Sequence, residues 1–172
     1  MAFTDIDTWL GTVRLVFEPD PFSVLRIYLP ETFSDGSNME NFDDVKERQV
    51  NQDANLQTQS LRKIILNYFD NRKPIKAPWQ CLCFQGQTLL QQKVLKITAA
   101  IPFGRVRSYG DIAAEAGRPG AARFVGNTMA ANPFPLIIPC HRVIQSNGST
   151  GGFGGGADMK IRLLKHEGYF QT

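Results

Sequence analysis

Side chains that could act as nucleophile or base near neutral pH are few in these 172 residues: Cys81, Cys83 and Cys140, with His141 and His166. Only Cys140 has a histidine beside it, in the run Pro139-Cys140-His141-Arg142. A cysteine attacks as its thiolate, which a neighbouring base, a cation or a helix N-terminus favours. The Cys-His dipeptide admits two readings by itself: a nucleophile with its base, or a buried cysteine beside an ordinary histidine. On a strand, neighbouring side chains point to opposite faces, so His141 would reach the sulfur only through a bend or a bridging water. Cys81-Leu82-Cys83 lacks the two-residue spacer of a zinc knuckle and both histidines are distant, so no metal site is expected. An odd, sparse cysteine set is no disulfide framework and suits a reducing compartment.

These residues need elements to hold them. Hydrophobic residues make up 42% of the chain, enough for a packed core in one domain or two small ones. The first thirty residues read as a hairpin. Trp9 to Glu18 alternates, and Phe22 to Leu29 repeats the pattern across Pro19-Asp20-Pro21. Glu31 to Gln59 is polar and acidic without sustained periodicity, and reads as a long loop with room for one short helix. Leu61, Ile64, Ile65, Tyr68 and Phe69 fall at helical spacing, predicting an amphipathic helix over Ser60 to Asn71. Pro74 and Pro78 make the next stretch a stiff linker.

The second half is mainly helical. A helix is predicted over Thr88 to Ala100, with Leu89, Leu90, Val94, Leu95 and Ile97 on its buried side. Ser108 caps a short helix, Asp111 to Ala116, and Pro119-Gly120 leads to another, Ala121 to Ala130. Two short helices across a Gly/Pro turn have the outline of a helix-turn-helix. In the second, Ala121, Ala122, Gly126 and Ala130 leave a bare face with Arg123 as its only charge. That face suits either close approach to a surface or tight packing in a core. Phe134 to Ile138 reads as a short apolar strand, followed by a glycine-dense loop and a final helix from Ala157 or Asp158 to Glu167. The fold class expected is α+β: an N-terminal α/β domain over residues 1–80, hairpin sheet plus helix, and a helical domain over residues 81–172.

Charge separates the halves. Cys83 to Thr172 holds ten basic and four acidic residues, a balance of +6, whereas residues 1–82 hold nine and twelve, a balance of −3. A basic half suits a polyanion such as nucleic acid, or plain solubility. The acidic half disfavours a phosphate surface and reads as a scaffold. No run approaches the ~20 apolar residues of a membrane helix. Asp5 and Asp7, without a basic leader, argue against a secretory signal, so no membrane partner and a cytoplasmic location are expected.

Ile138-Pro139-Cys140-His141-Arg142-Val143-Ile144 closely resembles the active-site signature of the O6-alkylguanine-DNA alkyltransferases, or methylated-DNA–protein-cysteine methyltransferases. Ile101-Pro102-Phe103-Gly104, Ser108-Tyr109-Gly110, Ala121-Ala122-Arg123, Val125-Gly126, Asn132-Pro133, the glycine loop and His166-Glu167-Gly168 are similar to the family in order and spacing. The likeness is dense over residues 88–172. Before that it extends to length, hairpin-then-helix character and Leu10-Gly11-Thr12.

The resemblance implies a DNA-repair methyltransferase that takes the alkyl group of O6-alkylguanine, and of O4-alkylthymine as a related lesion, onto Cys140 in a single turnover. It implies a monomer acting on double-stranded DNA, without cofactor or metal. His141 would be the base acting through a water, Glu167 its orienting carboxylate, and Asn132 the brace of the turn before the active site. Tyr109 would rotate the target phosphate and donate a proton to the departing guanine. Arg123 would fill the stack vacated by the flipped base, with Ala121, Ala122 and Gly126 shaping a shallow minor-groove face. The pocket walls would be Met129, Val143, Thr150, Gly151, Phe153 and Gly154. Gly154 stands where some members carry a serine and Phe153 where some carry a tyrosine, leaving O6 recognition to backbone N–H groups. Leu90 and Leu95 replace an aromatic pair common in the first helix of that domain. Three rival readings compete with this one: a non-catalytic alkyltransferase-like protein, which lacks the acceptor cysteine, a helix-turn-helix regulator, and a Cys-His hydrolase or redox protein. None requires Cys140, His141 and Glu167 together with the ordered match.

Overall fold

The computed structural model describes residues 1–30 and 52–170. The fold is α+β, and the chain divides into two compact units, Met1–Cys83 and Phe84–Thr172.

The first unit is a three-stranded antiparallel meander rather than a hairpin: β1 (Ala2–Thr8), β2 (Gly11–Pro19) and β3 (Phe22–Tyr28), in the order β1-β2-β3. Sequence reading missed β1 because only Ala2 and Ile6 of its seven residues are buried. Trp9 and Leu10 form the turn into β2 and do not begin a strand. Val13, Leu15 and Phe17 are buried by alternation, and a register shift at Val16/Phe17 turns Val16 inward as well.

Helix α1 (Gln52–Asn71) begins eight residues before the predicted Ser60, so Gln52 to Gln59 is helix rather than loop. The rest of the predicted loop, from Glu31 on, lies outside the described residues. The polar first turns carry no apolar stripe. Only Leu61, Ile65, Tyr68 and Phe69 bury a face, at i, i+4, i+7 and i+8, and α1 packs on β1. Burial of such side chains contributes about 1.5–3 kcal/mol each, which anchors the helix. Trp9 donates its indole N–H to the Phe69 carbonyl at 3.3 Å, joining the β1–β2 turn to the end of α1.

The second unit opens with α2 (Leu89–Ala99), whose N-cap Thr88 forms a reciprocal capping box with Gln91. Val94, Leu95, Ile97 and Thr98 form its buried face. Leu89, expected inside, is 84% exposed, because the first turn projects beyond that face. Strand β4 (Arg107–Ser108) leads into α3 (Tyr109–Glu115), where Ser108 caps with Asp111. Helix α4 (Ala122–Ala130) follows, and α2, α3 and α4 pack on one another.

Phe134 to Ile138 is not a strand. It is a buried run of turns in which the Ile138 N–H reaches the Phe134 carbonyl at 2.8 Å. Pro133, Pro135 and Pro139 supply no N–H to a ladder, so strand pairing is blocked there. A 3-10 turn, Cys140–Arg142, and strand β5 (Val143–Ile144) follow, and α5 (Gly156–His166) ends the unit. The two-residue parallel pairing of β4 with β5 sets Arg107 beside Val143 and Ser108 beside Ile144. It thereby draws the start of α3 to the segment just after Cys140.

Candidate active site

Cys140 is 6% exposed and opens the 3-10 turn, so Cys140 and His141 do not face opposite sides of a strand as expected. Before it, Asn132 closes the turn segment at both ends: its amide donates to the Ile138 carbonyl at 2.9 Å, and its oxygen accepts the Phe134 N–H at 3.1 Å. Burial pushes the Cys140 thiol above its ordinary range. Hydrogen bonding from Asn132, the charge of Lys160 and the backbone N–H groups of Cys140 and His141 pull the other way. The resting group is therefore a thiol surrounded by groups that favour its anion.

A cleft of about 320 Å³ reaches this sulfur, lined by Tyr109, Gly126, Met129, Ala130, Cys140 and the Gly152-Phe153-Gly154 stretch. Of the walls expected from sequence, Met129, Phe153 and Gly154 line it. Val143, Thr150 and Gly151 do not. Val143 is wholly buried, with its carbonyl turned to Lys160. Gly151 instead lies against Tyr109, where a Cβ would come within 3.3 Å of the hydroxyl oxygen. Tyr109 is half-buried at the first position of α3, and burial, then the neighbouring Cys140, raises its proton affinity. On α4, Arg123 is exposed, Ala121, Ala122 and Gly126 are partly buried, and Gly126 and Ala130 face the cleft.

Behind the cysteine lies a buried ionic cluster. His141 is completely buried, its Nε2 is 2.8 Å from Glu167 Oε1, and its Nδ1 has no hydrogen-bond partner among the described residues. Burial lowers the proton affinity of His141, Glu167 raises it, and Arg142 and Lys160 oppose a second proton. Glu167 is the C-cap of α5. Gly168 turns the chain there at φ +84°, and the Tyr169 N–H returns to the Leu164 carbonyl at 3.0 Å. Burial alone would raise the Glu167 carboxyl, but donors from His141 and Arg142 hold it well below the usual carboxylate range.

Sequence reading gave no role to three members of this region. Arg142 donates Nε to Glu167 Oε2 at 2.8 Å, one terminal nitrogen to Oε1 at 2.9 Å and the other to the Ile101 carbonyl at 2.6 Å. The Gly104 N–H reaches Glu167 Oε2 at 3.1 Å. Gly104 has φ +73°, and a Cβ there would stand 2.8 Å from the Glu167 carbonyl oxygen, so only glycine fits without displacement. Lys160 is fully buried, donates to the Val143 carbonyl at 2.6 Å and lies 5.9 Å from the Tyr109 ring centroid. Burial brings its pKa down to about 8, and the Cys140 anion opposes that fall. A signal for Lys160 existed: it shares the apolar stripe of α5 with Leu163, Leu164 and Glu167, where a cation has no solvation reason to be.

The arrangement can bind a flat group in the cleft, generate a sulfur nucleophile at its floor and receive a proton on a buried imidazole. Among the described residues no group of three or more His, Cys, Asp or Glu could hold a metal ion. No helix among them is long and apolar enough to cross a membrane.

Residues 89–169 match the family profile described as 6-O-methylguanine DNA methyltransferase, DNA binding domain. The methylated-DNA–protein-cysteine methyltransferase of Salmonella typhimurium is 51% identical over 84 residues, covering 49% of this chain and 49% of that protein. The Homo sapiens protein of the same name is 46% identical over 86 residues, covering 50% of this chain and 42% of that protein. The chain thus spans about half the length of the curated relatives it matches. The crystal structure of Mycobacterium tuberculosis OGT in complex with DNA superposes with a TM-score of 0.77 at 30% identity, covering 97% of this chain and 92% of that one.

Proposed function

The chain belongs to the methylated-DNA–protein-cysteine methyltransferase family, and from that premise we propose that it repairs DNA by accepting the alkyl group of O6-alkylguanine on Cys140. The observation that carries this reading is the cleft in which Cys140, Tyr109 and the glycine loop meet, with His141 and Glu167 joined behind it.

The reaction follows from those positions. The Cys140 thiol gives its proton through a water to Nδ1 of His141, the ring nitrogen left without a partner. The sulfur attacks the alkyl carbon, a C–S bond forms and the C–O6 bond breaks. The departing guanine anion takes a proton from Tyr109, whose raised proton affinity holds that proton until negative charge develops beside it. The same displacement serves O4-alkylthymine. A thioether offers no bond that water cleaves readily, so each molecule transfers once and acts as a reagent.

The alkyl carbon lies inside a duplex, so the base must be extruded first. The exposed Arg123 on α4 fills the vacated stack, and the partly buried Ala121, Ala122 and Gly126 let that helix enter the minor groove as the second helix of a helix-turn-helix. In the pocket, backbone N–H groups replace side-chain hydroxyls at O6. The working form is a cytoplasmic monomer on double-stranded DNA.

Intact mass after mixing with an oligonucleotide containing O6-methylguanine tests this. One methyl gained on the peptide holding Cys140, and none in Cys140→Ala, is the expected result. Tight lesion binding without mass gain would instead make the chain a lesion sensor. Arg123→Ala should slow repair of duplex DNA while leaving reaction with free O6-benzylguanine nearly intact, and equal losses on both would remove the finger assignment.

A further inference from the structure

Glu167 has more partners than a carboxylate needs to orient a histidine. Its Oε1 takes His141 Nε2 at 2.8 Å and Arg142 at 2.9 Å, and its Oε2 takes Arg142 Nε at 2.8 Å and the Gly104 N–H at 3.1 Å. We infer that Arg142 is a positioning residue: by forking onto Glu167 it fixes His141 as the neutral tautomer with Nε2 protonated and Nδ1 bare. This rests on the reading that His141 receives the Cys140 proton.

The geometry leaves little choice of proton positions. With Arg142 and Gly104 as unambiguous donors on both oxygens, the carboxylate carries no proton of its own to give. The contact at 2.8 Å is then N–H to oxygen, with Nε2 as donor. Nδ1 keeps its lone pair, and none of the described residues occupies it.

Charge supports the same assignment. A guanidinium is permanently cationic, so Glu167 and Arg142 together present no net charge to the imidazole. In a Ser-His-Asp triad the carboxylate stabilises the imidazolium that forms during reaction. Here that pull is largely spent on Arg142. The charged groups acting on His141 are Glu167, Arg142 and Lys160, and of these only Glu167 favours a second proton.

The fork is anchored as well. Arg142 also donates to the Ile101 carbonyl at 2.6 Å and lies 5.7 Å from the Phe103 ring centroid. Its plane is therefore set by the loop after α2. A lysine could supply the charge but not the two parallel bonds.

The test reads the imidazole directly, without DNA. The chain has two histidines, so the ring nitrogens in a 15N-histidine spectrum are assigned with His166→Gln. In the unaltered protein the His141 signals should show Nε2–H with Nδ1 unprotonated, and remain so below the ordinary imidazole midpoint of 6.5. In Arg142→Gln the His141 midpoint should rise by about one pH unit or more, as Glu167 loses its counter-charge. The acid limb of benzyl transfer from O6-benzylguanine should move with it. Arg142→Lys should keep the midpoint low and slow transfer about tenfold, through loss of the bidentate geometry.

A folded Arg142→Gln with an unmoved midpoint overturns the proposal. Should that variant not fold, the unaltered protein still decides: an Nδ1–H tautomer, or an imidazolium at neutral pH, overturns it equally. The expected spectra in a protein that transfers no alkyl group would leave the role of Arg142 standing and remove the repair reading instead.

Discussion

The two units bury different things. In the first, the described buried residues are apolar, and its ion pairs lie near the surface: Asp5 with Arg14, whose side chains are 38% and 21% exposed, and the N-terminal amine with Glu18. In the second, His141, Arg142, Lys160 and Glu167 are each no more than 5% exposed. Taking a charge out of water costs several kcal/mol per ion, and a buried pair seldom recovers more than its own desolvation. A fold that needs only stability has no reason to accept this. The first unit is thus organised to persist and the second to hold charges in place, which locates the chemistry before any particular reaction is considered.

That contrast yields measurable differences, the largest at Glu167. Glu167→Gln leaves Arg142 buried without its counter-ion, and urea unfolding should show a loss of about 3–5 kcal/mol. A loss below about 1 kcal/mol would mean the cluster is better solvated than its burial implies. Lys160→Met should act in the opposite sense. Lys160 falls from an ordinary 10.5 to about 8 on folding, so the folded state binds the proton less well than the unfolded chain. Its destabilising contribution, about 3 kcal/mol by that difference, is present in full below pH 8 and fades as pH rises to 10.5. Lys160→Met should therefore be the more stable protein at pH 7, and the advantage should vanish by about pH 10.5. The same variant should alkylate Cys140 with iodoacetamide more slowly at neutral pH, because a cation favouring the thiolate is gone. Equal alkylation rates would detach Lys160 from the sulfur.

Smaller effects test the remainder of the comparison. Thr88→Ala removes the cap of α2 and should cost about 1 kcal/mol without altering alkyl transfer. Arg14→Met breaks the main side-chain ion pair of the first sheet and should change stability by less than about 1 kcal/mol. A loss matching that of Glu167→Gln would erase the distinction between the units.

Sequence reading succeeded where a local pattern carries the information. Ser108 before a short helix and the stripe Leu61, Ile65, Tyr68 and Phe69 each specify structure within a few residues. It failed where long-range pairing decides. Strand β1 alternates weakly because the polar Thr4 sits between Ala2 and Ile6 on the inward face, and it is a strand only by pairing with β2. Asn55 to Gln59 buries no apolar face, so nothing in the hydrophobic pattern there marks the first turns of α1. Phe134 to Ile138 is apolar enough for a strand, but its prolines and the Asn132 brace make turns of it. At the site, the Cys140-His141 run was legible as a motif. Arg142 was not, because its partners Glu167 and Ile101 lie 25 and 41 residues away and nothing local announces them.

Those separations also set when the site can exist. The Gly104 N–H and the carboxylate it binds are 63 residues apart, and the β4–β5 pairing that brings Tyr109 toward Cys140 joins Arg107 to Val143, 36 residues on. Closing such loops costs entropy that the local helices do not, so α2 to α5 can form before the cluster does. During synthesis, Glu167 emerges after Cys140 and His141. Until then Cys140 lacks the ionic cluster behind it, and the thiol meets its partners only once the unit that aims it has closed.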